Sequence, residues 1–450
     1  MLNLTEVRQA VEKHRDMIFQ AERQIWRNPE TGFREWKTHT YLVEKMEALG
    51  YTLVQAGDIP GFYADVDTGR PGPHLLLMAE LDSVIVPGHP ECDKSTGAVH
   101  ACGHNCQCAA LLGVAAALKE PGILEGLSGK IRLMFEPAEE LVELGYRNQL
   151  IEQGTLSFFG GKQEFLARGY MDGMDLAIHM HTIWGRSGIM RASRGSNGNI
   201  KKLITFTGKT CHAGGPADGI NALMASTLAL DAINAIRETF RERDYIRYNT
   251  VVTGRVCGAN QIPDCVIMEG TLRAATEKAL IYENKRINRC LAAAAAAVGA
   301  QVHVEDTPGY TPLHCDDGFR QVADHVMENL VGRENVYQPG TGDTSCTDVG
   351  DVASVMPVLE AFTSGLTGVM HGDDLYVTDQ ESAAVLPAVF QMAMIQTLLK
   401  EDAAEARRIV EAYEPLYPSI AAYVVAKTSM HRSEDLVQYD PDGSIRLVVE

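Results

Sequence analysis

The run HLLLMAEL, His74 to Leu81, is apolar without alternation and only as long as a strand. KIRLMF (Lys130 to Phe135) and DLAIHMH (Asp175 to His181) repeat the pattern, and between the first two lies QCAALLGVAAALKE (Gln107 to Glu120), whose small apolar residues read as a buried helix. A strand that is apolar on both sides must be covered on both sides. Strands of this kind alternating with helices predict an α/β domain, a mostly parallel sheet with helices on both faces. Two helices, Val7 to Trp26 and Thr38 to Leu49, precede it and are separated by the break RNPETGF (Arg27 to Phe33).

The middle of the chain has a different texture. SGIMRAS and KKLITFTG read as strands, and Ile220 to Phe240 as a long helix. NTVVTGRV and DCVIMEGTLRAA are strands joined through CGANQIP, NKRINRCLAAAAAAVG is a second helix, and AQVHVED is a last strand. The order β-α-β-β-α-β is that of the ferredoxin-like unit. It is placed at 190–307 as an insertion into a domain formed by 1–189 and 308–400. Residues 401–450 begin as helix and end with the turn signal DPDG before a final strand; they form an extension of unassigned role.

Charge narrows the function classes. The chain carries 40 Lys and Arg against 59 Asp and Glu, a net charge of -19, which disfavours nucleic acid as a partner because phosphate binding is driven by clustered basic residues. The first residues lack the basic and apolar regions of a secretory leader, and no run is read as approaching the ~20 apolar residues that span a bilayer. The ten cysteines form no disulfide framework. The expectation is a cytoplasmic protein with reduced thiols and no membrane partner.

Five segments end a strand or strand-like run with polar groups: AELDS with Asp82, HACGHN with Cys102 and His104, FEPAEE with Glu139 and Glu140, AIHMHT with His179 and His181, and VMHGDD with His371. In open parallel sheets, ligands bind beyond the carboxyl ends of the strands, so these groups are expected to converge. Thiolate, imidazole and carboxylate are ligands of zinc and its first-row neighbours. Cys102 and His104 flank Gly103, which permits an unusual backbone angle, and the following helix start is expected to lower the Cys102 pKa. Singly, each motif has a bland reading: an incidental pair, glutamates complementing a helix dipole, a core histidine. Jointly they point to a metal site.

In this order the segments resemble the metallo-aminoacylase superfamily, in the branch holding hippurate hydrolase, auxin-conjugate amidohydrolases and aminobenzoyl-glutamate hydrolase. The resemblance runs over about residues 10–400 through RNPETGFREWKT, AELDS, HACGHN, EPAEE, AIHM, CHAGGPADGINAL, ANQIPD, EGTLR, CTDVGDV and HGDDLYVTD. It implies an amidohydrolase of small carboxylate-bearing substrates, with two divalent metal ions per subunit (zinc, manganese or cobalt). Cys102 would bridge them, with His104, Glu140, His179 and His371 as further ligands and Glu139 as general base. His212 would reach the partner subunit's site in a dimer, stabilise the oxyanion there and bind substrate, Asn260 would hold substrate, and the insertion would be a lid and dimerisation domain of a homodimer. His181 stays open as the alternative to His179. Asn105 stands where the branch has aspartate, and Cys106 and Cys108 are additions, read as packing or as extra ligands. The competing readings are a dipeptidase or exopeptidase on the same site, a non-catalytic relative, and a closed structural zinc site.

Overall fold

The structure, a computed structural model, describes residues 4–253 and 257–449. The chain divides into two compact units, one of Met1–Gly195, His314–Gly342 and Asp351–Ala421, the other of Ser196–Leu313, Asp343–Gly350 and Ala422–Glu450.

The first unit is built on an eight-stranded sheet: β1 (Val54–Gln55), β2 (Phe62–Asp67), β3 (His74–Glu80), β6 (Lys130–Glu136), β7 (Leu176–Trp184), β8 (Met190–Ala192), β13 (Val358–Thr367) and β14 (Tyr376–Val377). A short hairpin, β4 (Val84–Ile85) with β5 (Ala98–Val99), stands apart from it. Strand order is β1-β2-β6-β3-β7-β13-β14, with β8 also on β13. The four central strands β6, β3, β7 and β13 are parallel, and the flanking strands are antiparallel. The uninterrupted apolar runs are the central strands: after His74, every residue of β3 is buried.

Helices α1 (Leu4–Glu12), α2 (Arg15–Trp26), α3 (Trp36–Ala48), α4 (His104–Ala117), α5 (Leu144–Glu152), α6 (Gly161–Ala167), α9 (Asp317–Val331), α11 (Leu386–Leu399) and α12 (Ala404–Ala412) complete the unit. Every residue of α4 is buried, packed against β3, α2 and α11. Its small residues permit this: a Cβ on Gly113 would lie 2.5 Å from Ile18 Cδ1. The helical stretch Glu381–Leu399 corrects the expectation that no run nears spanning length, since it has 19 residues and is apolar enough to cross a membrane. With 94% of it buried in the unit, core packing accounts for its apolarity.

The second unit contains β9 (Gly198–Thr207), α7 (Ala222–Arg237), β10 (Arg247–Val252), β11 (Cys265–Ala274), α8 (Glu277–Val298) and β12 (Gln301–Pro308), in the β-α-β-β-α-β order. The short α10 (Val349–Ala353) and α13 (Ile420–Ser429) straddle the division of the chain. Its sheet runs β10-β11-β9-β12-β15, all antiparallel, the last strand being β15 (Arg432–Asp435). The expected strand NTVVTGRV is described only in part, Gly254, Arg255 and Val256 lying outside the described residues. Two boundaries differ from the reading of the sequence. SGIMRAS is β8, which pairs with β13 in the first unit, so the second unit begins at Ser196 and runs on to Leu313. The extension 401–450 is shared: α12 lies in the first unit, while β15 extends the sheet of the second. Beyond it, β16 (Val437–Tyr439) and β17 (Ile445–Leu447) form the hairpin that DPDG signalled, with Gly443 at φ 86°.

Candidate metal centre

The site is built at the carboxyl ends of β3, β6 and β7. Gly103, at φ +90°, caps the amino end of α4, and a Cβ there would press on Thr182 O at 3.1 Å. A left-handed turn at glycine thus lets the chain come close to β7 and presents Cys102 and His104 to one region.

The EPAEE loop after β6 is pinned from several sides. Ala138, at φ 60°, donates its N–H to Glu35 Oε1 at 2.8 Å. Glu140 N–H donates to Asp82 Oδ2 at 2.8 Å. The buried Arg147 donates to Phe159 O at 2.5 Å and to the carbonyl of Glu140. Backbone strain at Ala138 is sustained because the surroundings fix it. His371, also at positive φ (60°), is held by its N–H on Ala101 O at 2.9 Å.

Donor atoms gather accordingly. Cys102, His104 and His181 offer one ligand atom each within 4.8 Å of one another, as do Cys102, Glu140 and His371, and His104, Glu139 and Glu140. Cys102 Sγ is 3.6 Å from His181 Nε2, and His371 Nε2 is 2.8 Å from Glu140 Oε1. His104 Nδ1 lies 3.0 Å from Asp82 Oδ1, and His181 Nδ1 lies 2.9 Å from Thr182 O. With both Nδ1 atoms donating, each Nε2 is left as the lone-pair nitrogen, the tautomer a metal ligand needs. A buried mixture of thiol, imidazole and carboxylate, grouped at this spacing, fits divalent first-row ions.

The electrostatics agree with a site built around cations. Burial pushes the Cys102 thiol well above its ordinary range, and the carboxylates of Glu140, Glu139 and Glu80 push it further. The expectation that a helix start lowers it is therefore corrected: burial, with the nearby carboxylates, outweighs the dipole. Burial alone would lower the His104 pKa, but Glu80 and Asp82 outweigh it and raise it to about 9. Burial holds His181 down at about 3, a neutral imidazole. The Glu140 carboxyl is raised by burial but brought below its usual value by His371; the same contact raises His371.

Cys102, His104, Glu140 and His371 come together with Glu139 beside them. Of the two histidines left open, it is His181, and not the expected His179, whose nitrogen groups with Cys102 and His104. His179 is fully buried, one step deeper on the same strand face, with Nε2 3.0 Å from Glu80 Oε1. The mouth of the site is reached by His181, which counting from Asp175 favours. Asn105 faces neither group of ligands but donates to Glu22 Oε1 at 2.8 Å. Cys106 packs with Trp26 and Val84, and Cys108 donates to Glu80 O at 3.0 Å, so both added thiols serve packing. His212 and Asn260 lie in the second unit, both exposed, on neighbouring strands of chain: Ala213 N–H bonds Asn260 O at 2.9 Å. The residues missed from the sequence are Glu80 and Lys162, a buried pair at 2.5 Å.

Residues 76–395 match peptidase family M20/M25/M40. The chain is 26% identical over 310 residues to N-acetyl-L-cysteine deacetylase of Bacillus subtilis, covering 66% of this chain and 68% of that one. It is 27% identical over 327 residues to one of the subunits of p-aminobenzoyl-glutamate hydrolase of Escherichia coli, covering 61% and 70%. Its fold matches that of a Bacillus subtilis protein described as a dinuclear metal-binding peptidase of the M20 family, with a TM-score of 0.64 at 20% identity over 86% of this chain and 99% of that one. The chain belongs to peptidase family M20/M25/M40 and is a metal-dependent amidohydrolase.

Proposed function

We propose that this chain hydrolyses the amide bond of a small N-acyl amino acid or an aminobenzoyl-glutamate-like compound at a centre of two divalent ions. Cys102, His104, His181, Glu140 and His371 would hold the ions, zinc, manganese or cobalt, with Cys102 placed to serve both. The observation that carries the reading is the gathering of Cys102, Glu140 and His371 and of His104, Glu139 and Glu140, each set within 4.8 Å. Bound ions would supply Lewis acidity to the amide carbonyl and acidify the attacking water.

The protein's own groups do the rest. Glu139 takes the proton from water at its carboxylate and passes it to the departing nitrogen. Asp82 keeps both His104 and the Glu140 backbone in place. On the same reading His212 serves the partner subunit's site in a dimer, where it steadies the developing oxyanion, and Asn260 holds the substrate's polar end. Homodimer formation belongs to the same reading; Leu223, Met224 and Leu228, exposed within two turns of α7, support it, since apolar side chains grouped at a surface favour association. The ten free cysteines support a reducing compartment such as the cytoplasm.

The test is a panel of N-acetyl and N-benzoyl amino acids, aminobenzoyl-glutamate and dipeptides, run on metal-reconstituted protein and on Glu139→Gln. The reading expects turnover on the acyl compounds, and at least a hundredfold loss in the variant with metal content retained. Turnover of dipeptides alone would replace it with an exopeptidase reading; an unimpaired Glu139→Gln would remove the assigned base.

A further inference from the structure

Beneath the gathered ligands lies a floor of buried charge. Glu80, at the end of β3, is only 1% exposed. Its Oε1 accepts from Lys162 Nζ at 2.5 Å and lies 3.0 Å from His179 Nε2. Its Oε2 accepts from Gln107 Nε2 at 2.7 Å and lies 3.1 Å from His104 Nε2. Lys162 also reaches Glu136 Oε1 at 3.3 Å. Its position follows from a close passage of chain, since a Cβ on Gly161 would lie 1.6 Å from Pro137 O.

The contact with His104 has an unusual geometry. Although Glu80 Oε2 is 3.1 Å away, the buried His104 Nε2 has no hydrogen-bond partner among the described residues. With Nδ1 donating to Asp82, the two atoms face each other as lone-pair bearers and make no hydrogen bond. Two donors that each sit about 2.0–2.2 Å from one cation, at angles of about 90–110°, are about 2.8–3.6 Å apart. The observed separation falls in that interval, without the shared hydrogen that a hydrogen bond requires. Glu80 accepts hydrogen bonds from Lys162 and Gln107; His179 Nε2, 3.0 Å from Oε1, likewise makes none among the described residues, but it stands on the oxygen that Lys162 holds, whereas Oε2 keeps a lone pair on the side of His104. An oxygen of Glu80 also lies within 4.8 Å of one of Glu139.

We propose that Glu80 is a further metal ligand, sharing one divalent ion with His104 through Oε2, and that Lys162 is its fixed counter-ion. The inference rests on the dinuclear reading above and adds a side chain to it. A ligating carboxylate is commonly held by a hydrogen bond on its other oxygen; here that bond comes from a buried ammonium. Lys162 offsets charge that the thiol and the surrounding carboxylates would otherwise leave to the ions alone.

The experiment is a chelator-competition titration with Zn²⁺ and with Mn²⁺ on the wild type, Glu80→Gln and the double variant Glu80→Gln/Lys162→Met. The amide of Glu80→Gln keeps the size and the acceptor toward Lys162. The double variant removes both charges together, which buried pairs tolerate far better than loss of one partner. The expected result is two ions on the wild type, and in both variants one ion at wild-type affinity with the other at least tenfold weaker. Should Glu80→Gln fail to fold, the double variant decides by the same criterion. Two ions at unchanged affinity in either folded variant would overturn the assignment and leave the dinuclear reading standing. A wild type that takes up no divalent ion would instead overturn the reading beneath it.

Discussion

Asn105 stands where the resembling branch carries aspartate, and the structure gives the reason a testable form. Its Nδ2 donates to Glu22 Oε1 at 2.8 Å, and both residues are fully buried. Gln380 donates to the other Glu22 oxygen, and Arg23 Nε is 3.3 Å from it. Burial raises the Glu22 pKa above its ordinary value, so this carboxylate already depends on its donors. Asn105→Asp replaces a donor with a second acid. Two ionised carboxylates at about this distance repel by roughly 6 kcal/mol at an effective dielectric of ~20. Uptake of one proton is cheaper: keeping a carboxyl of ordinary pKa protonated at pH 7.5 costs about 5 kcal/mol, part of which the new O–H···O bond returns.

The net expectation is a loss of about 2–4 kcal/mol at pH 7.5. The folded pKa of the shared pair is raised above the unfolded aspartate value. The variant is therefore least handicapped at low pH, and its deficit grows as pH rises toward the folded pKa. Between pH 5.5 and 7.5 the deficit should widen by up to about 2.7 kcal/mol, one proton over two pH units. The assay is urea unfolding of wild type and variant in chelator at the two pH values, followed by tryptophan fluorescence. All three tryptophans, Trp26, Trp36 and Trp184, lie in the first unit, so the signal reports the unit that carries the substitution. A deficit equal at both pH values would mean that only a hydrogen bond was lost, and no deficit would mean that Asn105 does not serve Glu22; either refutes the charge argument.

His181→Ala should weaken divalent-ion binding at least about tenfold with little change in metal-free melting, whereas His179→Ala should lower the metal-free melting temperature; calorimetry and chelator competition on both variants separate the roles. Gly161→Ala puts a Cβ 1.6 Å from Pro137 O, so the EPAEE loop must shift; a stability loss of about 3 kcal/mol or more and a fall in kcat are expected from urea unfolding and turnover. Cys102→Ser exchanges a soft ligand for a hard one, so zinc affinity should fall more than manganese affinity in paired titrations.

Much of the fold could be read from the chain. Uninterrupted apolar runs at His74, Lys130 and Asp175 became the parallel centre of the sheet because strands covered on both faces have no polar side to show. The order of elements in the insertion survived because each helix and strand carries its own periodicity. The boundaries did not: SGIMRAS has the length and composition of a strand wherever it pairs, and only its partner β13, far off in sequence, assigns it to the first unit. The same holds for β15, whose residues Arg432–Asp435 are highly polar and take strand form by adding to the edge of β12. Gly103 was legible for a local reason, since a left-handed turn between Cys102 and His104 needs no distant partner.

The charged floor was illegible for the opposite reason. Lys162, in GGKQEFLARG, has the composition of a solvated helix start, and Glu80 looks like the polar end of an apolar strand. Each is costly to bury alone and tolerable as a pair, and sequence spacing carries no trace of a contact across 82 positions. The choice between His179 and His181 turns on the same floor. Both imidazoles project from one face of β7, so alternation cannot separate them. Depth can: β3 pairs with β7 only as far as Met78 opposite His179, which places that imidazole among the charges that end the sheet. His181 lies past this edge, where β7 pairs with β13 alone and the thiol of Cys102 lies 3.6 Å away. In a site that forms beyond the carboxyl ends of parallel strands, the later of two same-face residues is the one that reaches the opening.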